Sequence, residues 1–77
     1  MSHGHRPYVS SIVGRNIKAE MARHDVSQSR LGARLGITQQ GVSARLQGKT
    51  RITVDELVEI AGEIGVTVEA LLEGASA

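Results

Sequence analysis

Apolar residues recur at helical spacing through most of the sequence, and no stretch alternates between apolar and polar positions as a strand would. From Val9 to Met21 every fourth residue is apolar. This spacing predicts a first helix that ends near His24 or Asp25.

Two short helices are predicted next, over residues 28–35 and 39–47. Each carries apolar residues one turn apart, and each follows a hydroxyl side chain that can cap it, Ser27 or Thr38. Gly36 follows the first of them, where a residue in the left-handed conformation can end a helix. The two helices are therefore separated by a turn of about three residues.

The last third of the chain predicts two more helices. Thr53 and Glu56 have the spacing of a capping box, and Gly65 ends the helix that they open. Thr67 caps a short fifth helix. Short helices joined by short loops predict an all-α fold, a compact five-helix bundle.

Length and composition limit the domain organisation. With 77 residues and no Cys, Phe or Trp, the chain has one aliphatic core and no disulfide. We expect a flexible arm over residues 1–8, a single domain over 9–73 and a frayed tail over 74–77. Neither a leader peptide nor a membrane span is visible, so we expect a cytoplasmic protein with no membrane contact. No metal site and no cofactor is expected.

Charge is distributed unevenly along the chain. Residues 1–51 hold all nine Lys and Arg residues and only two acidic ones, whereas residues 52–77 hold six acidic residues and no Lys or Arg. This asymmetry predicts a basic face for a polyanion such as nucleic acid and an acidic face away from it. The alternative is an ordinary dipolar surface.

The spacing of small and apolar residues in the central helix pair is that of a helix-turn-helix motif. Gln28, Gly32, Gly36 and Val42 stand at relative positions 1, 5, 9 and 15. We expect Gly32 to let the second helix of the motif cross the first closely and Gly36 to make the turn. Val42 and Ile37 are expected to fill the space between the helices.

With these residues in place, the chain resembles the Cro/phage-repressor (XRE-type) helix-turn-helix family over about residues 11–73. The resemblance rests on four short segments: Asp25-Val26-Ser27-Gln28, Leu35-Gly36-Ile37-Thr38, Gln39-Gln40-Gly41-Val42-Ser43 and Gly48-Lys49. It implies a lambda-repressor-like DNA-binding domain that regulates transcription, binds double-stranded operator DNA and usually forms a homodimer. It also implies that the cytoplasm is that of a bacterium or a phage-infected host cell.

Three positions depart from the family pattern. Most members have Arg at the position of Met21 and Glu at that of Leu46, and these two residues form an ion pair. Here both are apolar, so we expect Met21 and Leu46 to pack together instead. The family usually has a large apolar or aromatic residue at the position of Arg45. The sequence therefore leaves open which side of the recognition helix faces the rest of the domain.

Candidate base contacts lie at the start of the recognition helix, about residues 39–47. Gln39 and Gln40 lie in its first turn, where side chains reach base edges in the major groove. A Gln amide can bond to adenine through N6 and N7. Ser43 lies one turn further along the same face. The alternative is that these exposed polar residues only begin a helix.

Candidate contacts to the DNA backbone surround that helix. A helix N-terminus and the polar or basic side chains near it can bind phosphate. We expect this role for Gln28, Thr38, Lys49, Thr50 and Arg51, with Arg6 as a further contact from the arm. A solvated polar loop is the alternative.

The sequence therefore predicts a repressor-like transcription regulator and not an enzyme, because no nucleophile–base pair or phosphate-binding glycine loop is present. A homodimer on a palindrome is expected, formed in solution or only on DNA, with Leu71, Leu72 or the loop before Val66 as the contact. The alternative is an antitoxin or adaptor of the same fold whose partner is a toxin or another protein and for which DNA is secondary.

Overall fold

The computed structural model describes residues 8–75, and these form five α-helices and no strand. The helices are α1 Tyr8–His24, α2 Gln28–Leu35, α3 Gln39–Leu46, α4 Val54–Ile64 and α5 Val68–Leu71. The predicted all-α, five-helix fold is confirmed. Within residues 8–75 no helix is both long enough and apolar enough to cross a membrane.

Side-chain hydroxyl groups begin the last four helices. Ser27, Thr38, Thr53 and Thr67 each accept a hydrogen bond from the backbone N–H three residues further on, at 3.0–3.1 Å. Each cap satisfies a donor that the helix leaves unpaired, which contributes about 1 kcal/mol. Short helices gain most from such caps, because their intrinsic stability is marginal.

The ends of three helices use the left-handed conformation. Gly36 after α2 has a φ of 70°, and Gly65 after α4 has a φ of 88°. Asp25 takes the same position after α1, with a φ of 58°. Asp tolerates this region better than most residues, since its short side chain can bond locally. The chain then turns back, and Val26 N–H donates to the Met21 carbonyl at 2.9 Å.

One aliphatic core holds the five helices together. Ile17, Leu31 and Leu71, from α1, α2 and α5, are fully buried. Burial of a side chain of this size contributes about 1.5–3 kcal/mol. No charged or polar side chain among residues 9–75 is buried. The core consists of Val13, Ile17, Met21, Val26, Leu31, Val42, Leu46, Leu57, Ile60, Ala61, Ile64 and Leu71.

Met21 and Leu46 both belong to this core, and each is only 6% exposed. The apolar residues at these two positions are thus part of the packing that joins α1 to α3. Direct contact between their side chains stays a prediction.

The crossing of α1 and α3 depends on Gly14. A Cβ atom at this position would lie 2.8 Å from the carbonyl carbon of Leu46 and still closer to its oxygen. The neighbouring atoms belong to backbone, so they cannot move aside as a side chain would. The two helices can therefore approach this closely only because residue 14 has no side chain.

Asn16 joins α1 to the end of α5. Its Nδ2 donates to the carbonyls of Leu71 at 3.0 Å and Glu73 at 2.8 Å. These are carbonyls that the end of a helix leaves without an intrahelical partner. Beyond them, Ala75 N–H donates to the Leu72 carbonyl, and Ala75 packs against the core. This side chain therefore holds the C-terminal segment onto the domain.

Substitution of Gly14 by Ala is expected to destabilise the protein. Helix propensity alone favours Ala by about 1 kcal/mol. Overpacking against a fixed backbone costs about 1–3 kcal/mol or more, so we expect a net loss that shifts the urea midpoint clearly downward. Urea unfolding followed by circular dichroism measures it.

Gly62→Ala is the matched control, because Gly62 is exposed in α4 and its Cβ would meet only the end of the Arg34 side chain, at 3.2 Å. This variant should be as stable as the wild type or more so, by up to about 1 kcal/mol. If Gly14→Ala behaves like Gly62→Ala, the close crossing is not a constraint on the fold.

Candidate nucleic-acid interface

The turn between α2 and α3 is closed by backbone contacts around Gly32. The N–H of Ile37 donates to the Gly32 carbonyl at 3.0 Å, and a Cβ atom on Gly32 would lie 2.8 Å from the Ile37 carbonyl oxygen. Gly32 therefore lets the turn that leads into α3 approach α2 closely. That Gly32 also admits the crossing of α3 over α2 stays a prediction. Val42 is buried beneath this turn, and Ile37 packs partly against the core.

Five candidate contact residues line one open polar concavity on the surface of α2 and α3. They are Gln28, Thr38, Gln39, Gln40 and Ser43. The caps and the turn bring the starts of the two helices together, so their first-turn side chains share this surface. Their backbone N–H groups add the positive end of the helix dipole, which favours an anion such as phosphate.

Hydrogen bonds fix several of these side chains. The Thr38 hydroxyl accepts from Gly41 N–H at 3.0 Å, and the Ser43 hydroxyl accepts from Gln47 Nε2 at 3.0 Å. Ser29, the second residue of α2, donates its hydroxyl to Gln39 Oε1 at 3.2 Å. Residue spacing does not indicate Ser29, because its relation to Gln39 follows from the angle between the two helices.

The segment after α3 carries exposed basic side chains. The N–H groups of Lys49 and Thr50 donate to the Ala44 carbonyl, at 2.9 and 3.3 Å, so the backbone of this segment is tied to α3. Lys49, Thr50 and Arg51 are all exposed, and none of them lines the concavity. Arg6 lies outside the described residues.

Ion pairs with α4 occupy basic residues of α2. Arg30 and Arg34 both bond to Glu63, and Arg34 Nε also donates to Glu59 at 2.6 Å. Hydrogen bonds from Arg30 and Arg34 lower the pKa of Glu63, and hydrogen bonds to Glu63 and Glu59 raise the pKa of Arg34. The predicted separation of a basic from an acidic face is thus wrong here, because α4 packs on α2 and its carboxylates neutralise these cations.

Arg45 points toward α4 instead of toward the concavity. Its Nε and Nη2 donate to the two carboxylate oxygens of Glu56, both at 3.0 Å, and its Nη1 donates to the Gly41 carbonyl. The sequence left open which way residue 45 faces, and these contacts show that Arg45 faces α4. A half-buried ion pair takes the place of the apolar contact typical of the family.

Four basic residues have no ion pair within residues 8–75. They are Arg15, Lys18, Lys49 and Arg51. Lys49 and Arg51 lie a few residues after α3. Positive charge without an ion-pair partner therefore follows α3 in the sequence. In the described part of the chain no group of three His, Asp or Glu residues is arranged to bind a metal ion.

An apolar groove lies between the starts of α1 and α4. Val9, Val54 and Leu72 are 48%, 76% and 39% exposed at its rim. Leu71 is fully buried, so its assignment to a dimer contact is wrong: it packs into the core, and its neighbour Leu72 faces the groove. The groove is lined by Val9, Ser10, Val13, Ile52, Thr53, Val54, Leu57 and Leu72.

The sequence matches the model of a known protein family. A model described as helix-turn-helix matches residues 17–71, most of the chain and both helices of the concavity. The sequence matches no curated protein.

Solved structures resemble the fold along nearly the whole chain. The clp gene regulator ClgR from C. glutamicum aligns with a TM-score of 0.82 and 17% identity over 92% of each chain. The restriction-modification controller protein C.AhdI from Aeromonas hydrophila aligns with a TM-score of 0.73 and 14% identity over 80% of this chain and 94% of that one. At such identities the likeness is one of fold.

A third solved structure is hydroxypropylphosphonic acid epoxidase from S. wedmorenis. It aligns with a TM-score of 0.75 and 25% identity over 83% of this chain. The alignment covers only 34% of that chain, so the likeness concerns one part of that enzyme.

The Arg45–Glu56 pair predicts an acid-dependent loss of stability. Hydrogen bonds from Arg45 and from Thr53 N–H lower the pKa of Glu56, against the effect of burial. A lowered pKa stabilises the fold above the ordinary value of 4.5, and the stabilisation is lost as pH falls through the folded-state value. Glu56→Gln should therefore cost about 1–2 kcal/mol at neutral pH and progressively less in acid.

Urea unfolding at neutral pH and at about pH 3 measures this difference. Glu69→Gln is the control, since Glu69 has no ion pair among the described residues, and it should change stability by less than about 0.5 kcal/mol. An equal effect of Glu56→Gln at both pH values would contradict the assigned role of the ion pair.

Proposed function

The chain belongs to the Cro/C1-type helix-turn-helix family of DNA-binding regulators, and from this we propose that it is a sequence-specific regulator of transcription that binds a double-stranded operator. In this proposal α3 enters the major groove and the protein represses by occupying a promoter. No reaction and no cofactor is assigned to it.

The observation that carries the proposal is the shared concavity of α2 and α3. Gln39, Gln40 and Ser43 project from the first turns of α3, where this motif contacts base edges. Gln28 and Thr38 stand at the starts of the two helices and hold phosphates. The phosphate contacts would position the protein on the duplex, and the base contacts would recognise the sequence.

Positive charge at the interface comes from few residues. Because Arg30, Arg34 and Arg45 are paired with α4, the proposed backbone contacts depend on Lys49 and Arg51, with Thr50 between them and Arg6 from the arm. The salt dependence of binding should then be modest for each monomer, since it follows the number of phosphates neutralised.

We further propose that two copies bind a palindrome. One eight-residue recognition helix reads few base pairs, and two related by a two-fold axis would read half-sites about 34 Å apart. The contact we assign to this dimer is the apolar groove with Val9, Val54 and Leu72 at its rim. Most other exposed side chains of α4 and α5 are acidic and would repel a second copy, whereas this patch can meet itself.

The second candidate function is an antitoxin or adaptor. It is favoured by the same groove, because an exposed apolar surface can equally bind a different protein such as a toxin. The two candidates differ in what wild-type protein selects from DNA and in whether the chain self-associates.

Selection of duplexes from a randomised pool at near-physiological salt tests the main proposal. We expect a palindrome. Gln40→Ala should lower discrimination at one base pair of each half-site by at least about fivefold, the value of a lost bidentate contact. Lys49→Ala should weaken binding to all sequences alike and reduce the slope against salt by about one.

Lys18→Ala is the matched control for charge, because Lys18 is also exposed but lies on α1, outside the proposed surface. It should leave the salt slope unchanged. If no sequence is enriched and binding disappears at modest salt, operator recognition is wrong and a protein partner becomes the better candidate.

Val54→Asp tests the proposed dimer contact. Val54 is the first residue of α4, where an acidic side chain suits the helix dipole, so the fold should be retained. Sedimentation should show weaker self-association, alone or on the palindrome, and binding to a single half-site should be unchanged. Unaltered self-association would remove the groove from the dimer interface.

A further inference from the structure

We propose that Ser29 is a positioning residue that orients the amide of Gln39, so that Gln39 prefers guanine to adenine at the base pair that it reads. The inference rests on the proposed function and names the base class for one of its contacts. It gives the two adjacent glutamines of α3 different roles.

A side-chain hydrogen bond joins the first turns of α2 and α3. Ser29 is the second residue of α2 and Gln39 is the first residue of α3. The Ser29 hydroxyl donates to Gln39 Oε1 at 3.2 Å. Both residues are exposed, and Gln39 lines the concavity. The Ser27 and Thr38 caps begin the two helices, so they hold the backbone of Ser29 and of Gln39 in place in the first turn of each helix.

The hydrogen bond determines which end of the amide is available. A Gln side chain has one acceptor oxygen and one NH₂ group with two donors. Because Ser29 engages the oxygen, the NH₂ group is left to donate, and within residues 8–75 it has no hydrogen-bond partner. Gln39 is therefore presented to DNA mainly as a donor.

Purine bases differ in what they offer such a donor. Guanine presents two acceptors in the major groove, O6 and N7, whereas adenine presents the N7 acceptor and the N6 donor. The bidentate contact to adenine needs the amide oxygen, which Ser29 already occupies. An amide oxygen can accept a second hydrogen bond, so the adenine contact is weakened and not abolished. Guanine is then the preferred base.

Gln40 provides an internal comparison. It lines the same concavity, yet its side chain makes no hydrogen bond to another described residue. Its amide can turn either way and make the bidentate contact to adenine. A change that affects only the Ser29–Gln39 pair should thus leave the preference of Gln40 intact.

The experiment compares affinities of the full chain for duplexes that differ at one base pair of the selected site. That base pair is the one whose preference is lost in Gln39→Ala. Wild-type protein should favour guanine there. Ser29→Ala should move the guanine-to-adenine ratio toward adenine by at least about fivefold, whereas Ser29→Thr, which keeps the hydroxyl, should retain the wild-type ratio.

Ala is a good helix former and position 29 is exposed, so Ser29→Ala should fold normally. An unchanged ratio in Ser29→Ala overturns the inference, and so does an equal loss of affinity for every duplex, which would make Ser29 a backbone contact. Either result leaves operator binding intact. Failure of the wild type to select any sequence overturns the proposed function and this inference with it.

Discussion

The contact of α1 with α3 at Gly14 is the constraint on which the rest of the structure depends. It brings one helix against the carbonyl end of the other with no side chain between them. At the opposite end of α3, Gly32 lets the turn fold back on α2 in the same way. α3 is thus located by backbone at both ends, so the side chains along its exposed face are free of structural duties. The exposed side chains of α3 can therefore differ between proteins that share this fold, and each set can contact a different DNA sequence.

Several ion pairs of this domain join one helix to another. Arg34 and Arg45 join α2 and α3 to the acidic α4, and Glu56 also takes part in the capping box of α4. These paired carboxylates are therefore partly neutralised and add little to a separate negative face. Of the nine basic residues among the first 51, Arg23, Arg30, Arg34 and Arg45 are paired with carboxylates. This leaves less local positive charge for long-range attraction of a polyanion than a linear count suggests.

Local signals made much of the fold predictable. Ser27, Thr38, Thr53 and Thr67 each act within three residues of their own position, and the aliphatic spacing marks the buried face of each helix. The polar candidates of α2 and α3 followed from the same spacing, and they meet in one concavity. The interactions that the sequence did not reveal join distant elements. Gly14 against Leu46, Arg45 with Glu56 and Ser29 with Gln39 all depend on crossing angles, which residue spacing does not encode.

The hydrogen bonds of Asn16 tie together parts of the chain that are 55 and 57 residues apart. They place the end of α5 beside the first half of α1, where Gly74 comes near the Ile12 side chain. The two ends of the described fold therefore leave it from one side. A segment appended after Ala75 would emerge next to α1 and its neighbouring groove, so a fusion at this end competes for space with whatever occupies that groove.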